Sequence, residues 1–281
     1  MIRTWLIIDV SGLAYRAFHT LGDLSYGGQS TAVLFGIFRD IVNLQDLYAT
    51  GHIVFCFDGG HDVRTGIYPD YKASRKTKRK EMDEAEREAR RGLRRQLYLL
   101  RTKHLPAAGF RNVFWQEGYE ADDLVASVCC YSIEFLRGDE AVIVSSDQDM
   151  LQLLSNKVVI YSPHQKRPVT KDSFIKQWGI DPTLWADVKA IAGCDGDDVP
   201  GVNGVGEKTA AKFIVGNLKA NTKAYAKIVA ANKLYKRNLR LVRLPAEGTA
   251  KFELSEDLVT RRKWDRVMRS LGMHSLVGKF R

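Results

Sequence analysis

Ten carboxylates stand where apolar runs stop or turns begin: Asp9, Asp58, Glu120, Asp122, Asp123, Asp147, Asp149, Asp195, Asp197 and Asp198. Two carboxylates suffice for general acid and base work, whereas a larger cluster repels itself unless hard cations neutralise it. Oxygen donors with no nearby Cys/His cluster favour Mg²⁺ or Mn²⁺. Two such ions about 4 Å apart activate a water and stabilise the leaving oxygen in phosphodiester hydrolysis. Each acid also has a plainer reading. Asp9 or Asp58 taken alone is what a helix N-cap looks like. Glu120-Ala121-Asp122-Asp123 opens an apolar helix with three acids in four residues, more than capping or the helix dipole requires. In Ser146-Asp147-Gln148-Asp149 the two aspartates lie two apart and can face one ion around a turn.

Such residues need elements that bring them together. Trp5-Leu6-Ile7-Ile8-Asp9, Ile53 to Asp58 and Ala141 to Asp147 are short apolar runs, each ended by an aspartate, which is the texture of buried parallel strands. Helix-patterned stretches, Thr31 to Tyr48, Glu81 to Arg101 and Ala121 to Leu136, lie between them. The alternation predicts a doubly wound α/β fold, a central and mostly parallel sheet with helices on both faces. In that architecture ligands bind at the carboxyl ends of the strands, where distant aspartates meet. After Val158-Val159-Ile160-Tyr161-Ser162 the chain turns to helical segments punctuated by Gly179, Pro182, Gly193 and Pro200. The 281 residues are long for a single core, so a boundary is expected near 163–170, dividing the chain into 1–165 and a C-terminal helical domain, 166–281.

A surplus of 43 Lys+Arg over 33 Asp+Glu gives a net charge of +10 and makes polyanions plausible partners. The surplus is local: Lys72, Arg75, Lys76, Lys78, Arg79 and Lys80 precede an acid-rich turn and then Arg87, Arg90, Arg91, Arg94 and Arg95. The plain alternative is a solvated charge run. Pro200-Gly201-Val202-Asn203-Gly204-Val205-Gly206-Glu207-Lys208 resembles a helix–hairpin–helix, in which glycines allow close backbone approach and a helix N-terminus offers free N–H groups to a phosphate. A tight interhelical turn is its plain reading. Cys56, Cys129, Cys130 and Cys194 lack zinc-site spacing and read as buried thiols of a reducing compartment. With no span long enough for a bilayer and no cleavage pattern at the N-terminus, a cytoplasmic protein is expected.

Several motifs together resemble the 5′ nuclease or flap endonuclease superfamily, from Ile7 to about Phe213: Ile8-Asp9-Val10-Ser11-Gly12 with Tyr15-Arg16-Ala17, Phe57-Asp58, Tyr71-Lys72-Ala73-Ser74-Arg75, Glu120-Ala121-Asp122-Asp123-Leu124, Ser146-Asp147-Gln148-Asp149-Met150-Leu151-Gln152-Leu153, and Pro200 through Ala211. The resemblance implies a PIN-like nuclease core that cuts DNA near the junction of a duplex with a 5′ flap or 5′ single strand, and also RNA–DNA hybrids. It implies two Mg²⁺ ions, replaceable by Mn²⁺. Asp9, Asp58, Glu120, Asp122 and Asp123 would hold the first, and Asp147, Asp149 and Asp197 the second.

Lys72 and Arg75 match the catalytic cations at the base of a helical arch, 71–103, under which the 5′ strand passes. Arg16 and Arg64 match phosphate-facing cations, and Tyr71, Lys76, Lys78, Arg79 and Lys80 are implied DNA contacts. Gly204, Gly206 and Lys208, within a helix–hairpin–helix at about 200–213, would grip duplex DNA, with K⁺ in the hairpin loop. A stand-alone, monomeric nuclease of a bacterium or phage is expected. One departure stands out. Where the family has Gly-Asp-x-x-Asp, this chain has Gly193-Cys194-Asp195-Gly196-Asp197, so Cys194 occupies a ligand position and Asp195 is the alternative ligand from a shifted register. That departure supports a runner-up, a catalytically weakened protein that binds DNA structures. A compact ribonuclease is disfavoured by the hairpin and the basic insertion.

Overall fold

A computed structural model describes residues 3–22, 24–133 and 139–280. Six strands make the central sheet: β1 (Thr4–Asp9), β2 (Ile53–Phe57), β3 (Val113–Trp115), β4 (Glu140–Val144), β5 (Val158–Ser162) and β6 (Arg167–Val169). Their order is β3-β2-β1-β4-β5-β6, parallel throughout except for β6, which runs antiparallel to β5. The three aspartate-ended runs are adjacent strands in register, with Ile8 opposite both Phe55 of β2 and Val144 of β4. Asp9, Asp58 and the Ser145–Asp147 turn therefore leave the sheet at one level.

The central strands β1, β2 and β4 form because they are buried on both faces, and the two-residue period divides their side chains between two cores. Trp5 and Ile7 point into a core with α6 (Ala121–Ser127) and α7 (Trp185–Ala192), where Leu124, Trp185 and Val188 are fully buried. Leu6 and Ile8 point the other way, against Ile37, Phe38 and Ile41 of α2 (Ala32–Tyr48) and Trp264 and Met268 of α10 (Arg261–Ser270). The remaining helices that frame the site are α1 (Val10–Thr20), α3 (Asp62–Ile67), α4 (Ala73–Glu81), α5 (Glu84–Leu99), α8 (Glu207–Ile214) and α9 (Asn232–Val242).

Three expectations are refined. The basic insertion is two helices, α4 and α5, and the Asp83 carboxylate starts the second by accepting the Glu86 N–H at 2.8 Å. The stretch from Ala121 is an α-helix only to Ser127, widens into a π-helical turn over Val128–Ile133, and its expected end at Leu136 lies outside the described residues. The expected division at 165/166 falls between the paired strands β5 and β6. Beyond it, α7 to α9 cover one face of the sheet and α10 the other. No helix among the described residues is long and apolar enough to cross a membrane.

Because α10 closes the second core, its anchor should matter to the whole molecule. Trp264 is fully buried and its indole N–H reaches the Leu276 carbonyl at 2.9 Å. Trp264→Ala is expected to cost about 3–5 kcal/mol in a single cooperative denaturant transition. A second, unshifted transition for residues 1–165 would show that α10 is not part of this core.

Candidate active site

The strand ends deliver their acids together with the donors that fix them. Asp9 caps α1, accepting from the N–H groups of Ser11 at 3.1 Å and Gly12 at 3.3 Å, while its other oxygen accepts from the Ser145 hydroxyl at 3.0 Å. Capping and clustering are thus one arrangement. Asp58 accepts the Ala121 N–H at 2.9 Å and also a bond from the Ser11 hydroxyl, which ties the end of β2 to the start of α6. Asp147 holds the Asp149 N–H at 2.8 Å and so sets the turn in which both stand. Burial, then the charges of Asp58 and Asp147, push the Asp9 carboxyl up to about 7. Asp149 is likewise pushed up to about 7 by burial and Asp147, with Lys189 opposing and Asp197 adding to the rise.

On the arch side other acids of the cluster, Glu120 and Asp197, meet cations. Lys72 is only 8 % exposed, has left-handed backbone (φ 54°), and donates its N–H to the Asp197 carbonyl at 3.0 Å. Its ammonium bonds Glu120 and lies 3.3 Å from Asp197. Burial draws that ammonium toward neutrality, but Glu120, Asp197 and Asp122 outweigh it and hold it above its ordinary value. Arg75 bonds Asp197 at 2.8 Å from the exposed side. Lys76, Lys78, Arg79 and Lys80 follow on α4, all exposed.

A cavity of about 560 Å³ opens between α4, α5 and the sheet, bounded by Ser11, Asp58, Trp115 and six arginines of the arch region: Arg79, Arg87, Arg90, Arg91, Arg94 and Arg101. Trp115 is 42 % exposed, carries the Arg101 guanidinium 4.2 Å from its ring centroid, and donates its indole N–H to the Asp58 carbonyl at 3.1 Å.

Several expected contacts are corrected. Arg64 does not face a phosphate. It is 2 % exposed, forks onto both oxygens of Asp123 at 2.5 and 2.8 Å and donates to the Leu241 carbonyl at 2.8 Å. Asp123 is fully buried and also accepts the Ala246 N–H at 2.8 Å, so both of its oxygens already have partners within the chain. Tyr71, 2 % exposed, donates to Glu120 at 2.8 Å instead of meeting DNA. Arg16 pairs with Asp40 and donates to the Pro163 carbonyl at 3.2 Å. Asp195 is exposed and stands outside the group formed by its neighbours.

That group is Asp149, Cys194 and Asp197, whose ligand atoms all lie within 4.8 Å of one another, the one set of three or more so placed among the described residues. Lys189, which the sequence reading missed, adjoins it, 6 % exposed with its ammonium 3.6 Å from Asp149 and 3.2 Å from Glu207. A lysine inside the apolar run Val188-Lys189-Ala190-Ile191 was the available signal. Gly204 and Gly206 lie in an exposed loop between α7 and α8, Lys208 is exposed in the first turn of α8, and Lys227 donates to the Asn203 carbonyl at 3.0 Å.

A family model for the 5′-3′ exonuclease N-terminal, resolvase-like domain matches residues 4–179. The chain belongs to this family. It is 32 % identical over 215 residues to the 5′-3′ exonuclease of Aquifex aeolicus, covering 76 % of this chain and 69 % of that one. It is also 32 % identical over 218 residues to DNA polymerase I of Mycobacterium leprae, covering 75 % of this chain but 22 % of the polymerase, so the chain spans about a fifth of such relatives. Among solved structures, zinc-bound T5 5′-exonuclease superposes with a TM-score of 0.73 at 25 % identity, over 86 % of this chain and 90 % of that one. The catalytic core of Rad2 in complex with DNA substrate, at 17 % identity and a TM-score of 0.61, shares the fold.

Two outcomes follow from this geometry. Arg64→Ala would leave the buried Asp123 charge without its partner and is expected to cost about 3–5 kcal/mol of stability. A DNA-affinity loss at unchanged stability would restore the phosphate-facing role. The second concerns pH. Asp9 and Asp149 have folded values raised to about 7 above the ordinary 3.8, so their contribution is greatest below the lower value and is lost as pH rises through the upper one. In chelator the melting temperature should fall across that window, and a saturating divalent ion should reverse the fall.

Proposed function

We propose that the chain is a metal-dependent 5′ nuclease that hydrolyses DNA phosphodiesters where a duplex meets a 5′ single strand or flap, RNA–DNA hybrids included. The observation that supports this best is the convergence of acids at three adjacent strand ends, half-buried Asp9 between exposed Asp58 and Asp147, beside an arginine-lined cavity beneath two basic helices. Asp9, Asp58, Asp122 and Asp147 are oxygen donors, and burial together with the charges of Asp58 and Asp147 raises the Asp9 carboxyl to about 7, so a hard divalent ion fits them. When bound, such an ion supplies activation of water and charge neutralisation at the phosphate.

The chain's own residues do the rest. Ser11, Ser145 and the Ala121 N–H fix the carboxylates, a preorganisation that costs nothing at the moment of reaction. Lys72 stays charged beside Glu120 and Asp197 and is the group positioned to meet the scissile phosphate, with Arg75 next to it. Lys76, Lys78, Arg79 and Lys80 would hold the single strand. The loop through Gly204 and Gly206, with Lys208 after it, would serve as a helix–hairpin–helix on the duplex. No step is assigned to potassium, since the Asn203 loop carbonyl already accepts from Lys227. The runner-up, a catalytically weakened DNA-structure-binding protein, draws on the thiol of Cys194 within the acidic group.

A flap-cleavage assay with and without Mg²⁺ decides between them. Asp58→Asn should abolish cleavage while leaving much of the DNA binding, and full turnover in excess chelator would end the metal-dependent reading. Neutralising Lys76, Lys78, Arg79 and Lys80 together should weaken binding and flatten its salt dependence, because each single-strand phosphate contact contributes a slope of about −0.7. An unchanged slope would reduce the run to a solvated face.

A further inference from the structure

The two-ion expectation meets an obstacle in the donor set itself. At Asp149, Cys194 and Asp197 the atoms converge as an ion site requires, but one of the three is sulfur. Mg²⁺ dehydrates reluctantly and takes oxygen ligands, whereas thiolate sulfur selects softer ions such as Zn²⁺ or Cd²⁺. The fold holds the sulfur in place: Cys194 pairs with Val199 in a two-stranded hairpin, and a Cβ on Gly193, whose φ is +84°, would collide with the backbone of Gly201. Lys189 places its ammonium against Asp149, and Lys72 and Arg75 stand against Asp197, so the group offers a divalent ion two carboxylates that already have cationic partners and a neutral thiol. An ion held by charge alone gains little there, while one that bonds sulfur gains most.

We propose that Asp149, Cys194 and Asp197 form a mixed oxygen–sulfur site that prefers a thiophilic divalent ion of the Zn²⁺ class to Mg²⁺. As the sulfur–metal bond forms, the S–H proton leaves to solvent. The inference rests on the metal-dependent reading above and deepens it by giving one of the two expected ion positions a different metal preference.

The test uses the full chain, freed of metal and titrated with Cd²⁺, following the ultraviolet sulfur-to-cadmium charge-transfer band with and without a large excess of Mg²⁺. One equivalent should bind and resist the excess. Cys194→Ser should lose the band and bind Cd²⁺ at least about tenfold more weakly, and Asp149→Asn should keep the band with weakened binding. Complete displacement by Mg²⁺ from the unaltered chain, an arm that needs no variant, overturns the proposal, as does an undiminished band in Cys194→Ser. Flap cleavage in Mg²⁺ is measured on the same preparations. Cleavage without a cadmium band removes the mixed site and leaves the nuclease, whereas the band without any cleavage removes the nuclease and leaves the site.

Discussion

The buried guanidinium of Arg64 is the constraint on which the rest of the site depends. It stands on α3, just ahead of the arch, forks onto Asp123 in α6, lies 3.2 Å from Glu120, and reaches back to the carbonyl of Leu241 in α9. One side chain thus locks together the approach to the basic helices, the acidic helix start and the C-terminal helices. Burial works against its charge, and Asp122 and Asp123 more than compensate. A planar group with five donors does this where lysine could not, because only a fork satisfies both carboxylate oxygens and a carbonyl at once.

With that frame fixed, the rest of the electrostatics follows from crowding. Adjacent parallel strands must release their carboxylates a few ångströms apart, and low-dielectric surroundings magnify the repulsion. The chain offsets part of it internally, with Lys72 between Glu120 and Asp197 and Lys189 between Asp149 and Glu207. Among the described residues no Lys or Arg forms an ion pair with Asp9, whose charged neighbours are Asp58 and Asp147. Acids with a resident counter-charge are held by structure, and those without one are where an external cation has most to gain.

What the sequence disclosed depended on how local the cause was. Strands ending in aspartate were legible because an apolar run and its terminus are neighbours in the chain. Of the two arch helices only the second was legible, as the charged stretch Glu81 to Arg101; the basic run before it is a helix of its own, α4, ended at Met82–Asp83 where a capping aspartate starts α5. Arg64, Tyr71 and Asp123 were misassigned because their partners lie far away in sequence: 59 positions separate Arg64 from Asp123, and 177 separate it from Leu241. Whether a long cation faces solvent or the interior is a tertiary fact. The same holds for α10, which the sequence analysis did not single out and whose place on the far side of the sheet rests on contacts distant in the chain.

Trp115 gives the molecule an optical property of its own. Trp5, Trp185 and Trp264 are sealed in the cores, while Trp115 faces the cavity beneath the arch under the Arg101 guanidinium and is bonded to the backbone of Asp58. Its fluorescence therefore reports on the gap between the basic helices and the acidic floor. Any rearrangement that lifts Arg101 from the ring registers in the emission of this one indole, against a background from the three buried indoles and the half-buried Trp178, none of which lines the cavity.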